Sequence, residues 1–184
     1  MAKFTGIKHG CTNLFFNWYE AKDRQTEIDN SLFMNRKVFD RVILVNGRPT
    51  FSELFELSKQ YPNDINCFCN SDVYFTDIKH LHNIKQDECF AITRDDLRNT
   101  QYASGSQDAW IFRGVVNPID APFTAGKWGS DNRLAYEIKR AGYKITNPSY
   151  SINLVHLHAV DNRNHTRTKQ NTVPPPYLLI PSTI

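Results

Sequence analysis

Two short apolar runs separated by one capped helical segment constrain this chain more than any other feature. The first, Arg41-Val42-Ile43-Leu44-Val45-Asn46, is continuously apolar and β-branched, as a strand covered on both faces must be, and Gly47-Arg48-Pro49 ends it. Thr50 then caps a helix through about Gln60. Glu53 stands three residues on as in a capping box, and Phe51, Leu54, Phe55 and Leu57 supply the apolar side. After the Pro62-Asn63-Asp64 break comes the second run, Ile65 to Asn70. Strand, helix, strand in this order predicts a parallel α/β unit, and ligands of such sheets bind off the carboxyl ends of the strands.

The flanking segments extend the same alternation. Lys3 to His9 reads as a first or edge strand. From Asp23 to Lys37 the pattern is helical, with Asp23 as N-cap and Ile28, Leu32 and Phe33 as the buried stripe. Cys89 to Thr93, Asp108 to Arg113, Tyr143 to Ile145 and Ser151 to Leu157 read as further strands, the last carrying Ile152, Leu154, His156 and His158 on one face by period two. Ser130 or Asp131 is expected to cap a helix with Leu134, Ala135, Ile138 and Ala141 on its buried side, Glu137, Lys139 and Arg140 in water, and Gly142 past its end. The polar loop Arg94 to Gln107 and the loop from Asn117 to Gly129 are expected to rim one cleft. The expectation is one α/β domain over residues 1–160 and an extended tail over 161–184, ending in a polyproline-like stretch that packs on or near the body.

Composition excludes several classes. With 184 residues, 40% of them hydrophobic and 22% charged, the chain is far from disordered composition and is long enough to bury roughly 70% of its unfolded surface. No run approaches the roughly 20 apolar residues that span a bilayer, and Met1 to Thr5 lacks a secretory apolar region, so a cytoplasm, that of a host if the source is viral, is the expected location. The four cysteines show no CxxC spacing and read as small core residues. A net charge of +3, concentrated around Arg163, His165, Arg167 and Lys169, permits a polyanionic partner without requiring one.

Three polar constellations carry candidate chemistry. Asn70-Ser71-Asp72 ends a buried strand, where a carboxylate can seat a hard cation that bridges protein and diphosphate oxygens. Ser130-Asp131 opens an amphipathic helix, where the positive helix end is expected to keep the carboxylate ionised and aimed outward as a base. His156 and His158 share a strand face and could complete the coordination of a metal held by Asp72.

Taken together, Arg24 to Ile28, Cys69 to Phe75, Ser106 to Phe112, Gly129 to Glu137, Ala141 to Tyr143 and His156 to His158 resemble the ordered motifs of GT-A-fold glycosyltransferases, in a compact group found in microbes and their viruses. The resemblance spans Asp23 to His158 and implies a Rossmann-related mixed sheet flanked by helices. It also implies that Asn70-Ser71-Asp72 stands in for the family's DxD motif, with Asn70 replacing the first carboxylate, and binds the donor; Arg24, with Arg113 and Arg133, is a candidate for contacts to the donor's diphosphate or to the acceptor. The base it nominates is Asp131, with Asp108 as rival. The implied activity moves a sugar from a nucleoside-diphosphate donor to an acceptor hydroxyl with inversion, assisted by Mn²⁺ or Mg²⁺. A glycan or a hydroxylated base in DNA are the expected acceptors. The alternatives are an inactive nucleotide- or glycan-binding module and a metal-dependent phosphoesterase or nuclease, for which the acidic residues are too few.

Overall fold

The computed structural model describes residues 10–116, 119–157 and 168–184, and within them the expected α/β alternation is present. The elements are β1 (Thr12–Trp18), α1 (Gln25–Asn35), β2 (Arg41–Asn46), α2 (Phe51–Ser58), β3 (Ile65–Cys69), β4 (Val73–Phe75), β5 (Glu88–Ile92), β6 (Ala109–Arg113), α3 (Ser130–Arg140), β7 (Lys144–Thr146) and β8 (Leu154–His156). Six strands form one sheet in the order β2-β1-β3-β6-β5-β7. β1 runs parallel to β2 and β3, β6 is antiparallel to both its neighbours β3 and β5, and β5 is parallel to β7. The small strands β4 and β8 pair separately.

The period of two sends alternate side chains to two apolar layers. Phe15, Phe68, Trp110 and Phe112 pack with Phe51, Leu54 and Phe55 of α2 and with Leu134, Ala135 and Ile138 of α3. On the other face, Leu14, Phe16, Cys67 and Ile111 meet Ile28 and Leu32 of α1 and Val73 and Phe75 of β4. Strands covered on both faces suit a mixed sheet between helices.

Several details differ from the sequence reading. β1 lies in the middle of the sheet yet was not expected, because Asn13 and Asn17 interrupt its apolar pattern; Asn13 is fully buried and hydrogen-bonded to Asp64 and Asn66. The strand expected at Lys3 to His9 lies outside the described residues. β2 pairs as a parallel strand but forms the sheet edge, with Leu44 45% exposed, so an apolar run alone does not separate edge from centre. α1 starts after Arg24 rather than Asp23, without a side-chain cap, and Phe33 faces solvent at 59% exposure with the Lys37 ammonium 4.1 Å from its ring. The capping box of Thr50 and Glu53 is formed as expected, although the helix ends at Ser58.

α3 is capped by Gly129 in the left-handed region, φ 76°, and not by Ser130 or Asp131. A side chain at 129 would also collide with the Tyr177 ring, so glycine is required there twice over. Glu137, expected in water, is buried between Arg133 and Arg140, each 2.7 Å away. The segment after residue 168 runs as a strap across the body: Val173, Leu178, Ile180 and Thr183 donate backbone hydrogen bonds to Trp128, Asn132, Ser104 and Asn147. Its Val173 and Ile180 are buried.

Candidate functional site

Chain order locates the site. The crossover from β1 leads to β2 on one side, and the next crossover returns past β1 to β3 on the other. The carboxyl ends of β1 and β3 therefore flank a switch point, where two outgoing connections diverge and leave a crevice. A cleft of about 170 Å³ lies at that place. Asn17 and Tyr19 follow from β1, Cys69 to Asp72 from β3, and Asp108 from the start of β6, while Phe15, Phe51, Phe68 and Trp110 form an apolar floor. Arg24 and Arg48 supply positive charge. Thr124, Ala125 and Gly126 of the second expected rim loop line it, whereas Arg94 to Gln107 contributes no lining residue.

A chain of paired acidic and nitrogen-bearing side chains crosses the top of the sheet. The Arg24 guanidinium meets Glu27 and Asp72, each at 2.6 Å. Asp72 lies 3.4 Å from His156 Nε2, whose other ring nitrogen is 3.6 Å from Asp96. Arg94 joins Asp96 at 2.8 Å to Asp108 at 3.2 Å. Burial works against the Asp72 anion, but hydrogen bonds and charge from His156 and Arg24 outweigh it and bring the carboxyl down to about 2. Asp72 is therefore ionised and compensated.

Asp108 has the opposite balance. It is 4% exposed; Asn70 Nδ2 donates to its Oδ1 at 2.9 Å and Arg94 reaches the same oxygen, while Oδ2 is buried without a hydrogen-bond partner. Burial raises its pKa, the Asp72 charge adds to that rise, and Arg94, His156 and Asn70 oppose it. Asp108 lines the cleft, and its buried Oδ2 is an acceptor left without a partner. The expected triplet thus works differently from a metal motif: the Asn70 amide donates to Asp108, which a carboxylate at 70 could not do, and Ser71 Oγ donates to the Asn17 carbonyl at 2.6 Å.

Asp131 does not line the cleft. The residue as a whole is half-buried, yet surrounding protein desolvates its carboxyl and the nearby Asp108 charge adds to the effect, pushing it up to about 8 despite hydrogen bonds from Ser130 and the Gln107 backbone. The expectation that the helix end keeps it ionised is corrected on this point, since desolvation outweighs a dipole worth at most about 2 kcal/mol. Of the expected metal set, Asp72 and His156 come together, and His158 lies outside the described residues. Among the described residues no group of three or more His, Cys, Asp or Glu could hold a metal ion, and the Asp72 oxygen nearest His156 is already bonded by Arg24. These residues do not fit a metal centre as arranged.

Sequence reading missed Asn17, Tyr19, Arg48, Arg94 and Asp96. Asn17 could have been found through β1: on a central strand, Asn17 is two residues from Phe15 on the same face and four from the buried Asn13. Its Oδ1 is buried without a hydrogen-bond partner. The Arg48 guanidinium sits 4.9 Å over the Tyr19 ring at the cleft. Compared with known proteins, the chain matches no protein-family model and no curated protein. No helix among the described residues is long and apolar enough to cross a membrane.

Proposed function

We propose that the protein transfers a sugar from a nucleoside-diphosphate donor to an acceptor hydroxyl. The observation that carries this reading is the cleft at the switch point, lined by two arginines, an apolar floor and Asp108, a carboxylate whose buried Oδ2 has no partner. A nucleoside diphosphate needs an apolar surface for its base and cations for its phosphates; an attacking hydroxyl needs a base that faces it.

In this reading Asp108 Oδ2 takes the proton of the acceptor hydroxyl while its Oδ1 stays fixed by Asn70 and Arg94. The hydroxyl oxygen forms a bond to the anomeric carbon as the bond from that carbon to the diphosphate breaks. The electron pair leaves on the diphosphate, whose growing charge the cleft arginines offset, and one displacement inverts the configuration. The products are a glycoside, a nucleoside diphosphate and the proton on Asp108. Asp108 is preferred to Asp131 as base because it lines the cleft and Asp131 does not. The acceptor hydroxyl belongs to a glycan or to a hydroxylated base in DNA.

The test is release of nucleoside diphosphate from a panel of donor sugars, with and without acceptors, by the wild-type chain and by Asp108→Asn. Transfer that disappears with Asp108→Asn while donor binding persists supports the reading. Donor binding without any turnover in the wild type would instead assign a binding module, and phosphate release or DNA nicking without a sugar donor would assign a phosphoesterase.

A further inference from the structure

The geometry around Asp72 points to a reversal of roles, and it rests on the donor reading of the cleft. We propose that Arg24 is the cation that receives the donor's diphosphate, that Asp72 and Glu27 are the positioning residues that hold it, and that diphosphate binding consequently needs no divalent metal.

The guanidinium is clamped along one edge: Nε donates to Glu27 and Nη2 to Asp72, both at 2.6 Å. Nη1 makes no hydrogen bond among the described residues, and the side chain lines the cleft with 34% of its surface exposed. A planar fork fixed by two carboxylates and open on its remaining donors is preorganised for phosphate oxygens, which Arg binds in two-point geometry. Arg48, exposed over Tyr19 and without an ion pair among the described residues, is the second cation at the same cleft. Asp72 Oδ2 meanwhile is already taken by Arg24 at 2.6 Å with His156 Nε2 at 3.4 Å, so it is not an anion awaiting a cation. The Asn70 side chain points the same way, because it is used as a donor to Asp108 and adds no anionic ligand.

The metal-centred and arginine-centred arrangements predict opposite responses. Calorimetric titration of the full chain with each common nucleoside diphosphate and with inorganic pyrophosphate, in EDTA and in Mn²⁺ or Mg²⁺, separates them. Wild-type affinity in EDTA should lie within about twofold of that with metal, whereas Arg24→Gln should weaken it at least about tenfold under both conditions. Arg24→Lys should recover part of the loss, since it keeps the charge but not the clamped fork. Asp72→Asn should weaken binding in EDTA and have little further effect in the Arg24→Gln background, the signature of a residue that acts through Arg24. Asn70→Asp should weaken binding.

Binding that appears only with metal overturns the proposal, as does an Arg24→Gln chain that binds normally or an Asn70→Asp chain with stronger Mn²⁺-dependent binding. The EDTA comparison uses the wild-type chain and stands even if a variant fails to fold. Metal-independent, Arg24-dependent binding of pyrophosphate with no nucleotide binding would sustain this proposal while removing the transferase reading. Absence of binding to every probe would remove both.

Discussion

The two ends of the central sheet carry buried polar clusters built from similar residues, and they differ in how completely those residues are paired. At the amino end, Asp64 accepts from the Cys11 backbone N–H at 2.9 Å, from Asn13 Nδ2 at 3.1 Å and from Arg41 at 2.8 Å, while Asn13 also donates to Asn66 at 3.0 Å. At the carboxyl end, Asn17 Oδ1, Asp108 Oδ2 and, beside the candidate acids, Gln107 Oε1 and Asn132 Oδ1 are buried without hydrogen-bond partners among the described residues. A completed network fastens the β1, β2 and β3 starts together; an incomplete one costs stability and is retained where a ligand finishes it. The contrast separates stitching from site without reference to residue type.

The largest expected effect breaks the contrast at its functional end. Asp108→Asn preserves shape and one oxygen but removes the proposed proton acceptor, so under the transferase proposal turnover should fall by about 10²- to 10⁴-fold while the melting temperature stays close to wild type. Donor turnover and thermal melts measured on one preparation check both halves. Loss confined to Asp131→Asn would transfer the role of base to residue 131.

Next in size is the structural end. Asp64→Ala strips partners from a part-buried backbone N–H and a part-buried amide, at about 1–3 kcal/mol for each buried group left unsatisfied, and from the exposed Arg41 guanidinium, which water can serve. Denaturant unfolding should show a loss of about 2–4 kcal/mol, with nucleotide affinity unchanged in the folded fraction. A loss confined to binding would mean that the amino end is not a stitch.

Asp131 gives an effect of opposite sign. With its folded pKa raised to about 8 from the ordinary carboxyl range, the folded chain holds a proton that the unfolded chain has already released. Stability therefore falls as pH rises from about 4 to about 8, because over that window the native state binds more protons than the unfolded state. Asp131→Asn should flatten this dependence and raise the melting temperature near pH 8, by about 2–4 °C for each kcal/mol regained in a domain this size. Unchanged pH dependence of the melts would show that the residue is solvated and ionised.

How much of this was legible in the sequence follows from what each signal encodes. The β2-α2-β3 unit was readable because capping and apolar runs are local, and Thr50 and Glu53 formed the box their spacing announced. β1 was not, since Asn13 and Asn17 look like breaks until tertiary partners are known. Asp72 was found from its position at a strand end, His156 from the strand period and Asp108 from the family resemblance, and the three lie together. Their roles were not readable, because pairing is a long-range property: Arg24 meets Asp72 across 48 residues and Arg94 meets Asp108 across 14. The same holds for Asp131, where a local dipole argument gave ionisation and the desolvating surroundings give the reverse.

The smallest effect tests the contrast most directly, because it compares one residue type at two places on one strand. Asn13 and Asn17 are four apart on β1, so both face the α2 and α3 layer. Asn13→Ala removes donors from Asp64 and Asn66 and should cost about 1–2 kcal/mol. Asn17→Ala deletes a buried oxygen that has no partner and should change stability by less than about 0.5 kcal/mol, or raise it slightly, while lowering affinity for a nucleoside diphosphate. Urea titrations of the two variants, paired with one ligand titration of Asn17→Ala, compare the two ends within a single strand. Equal destabilisation by both would mean that Asn17 is structural, and the incomplete pairing at the carboxyl end would then mark no site.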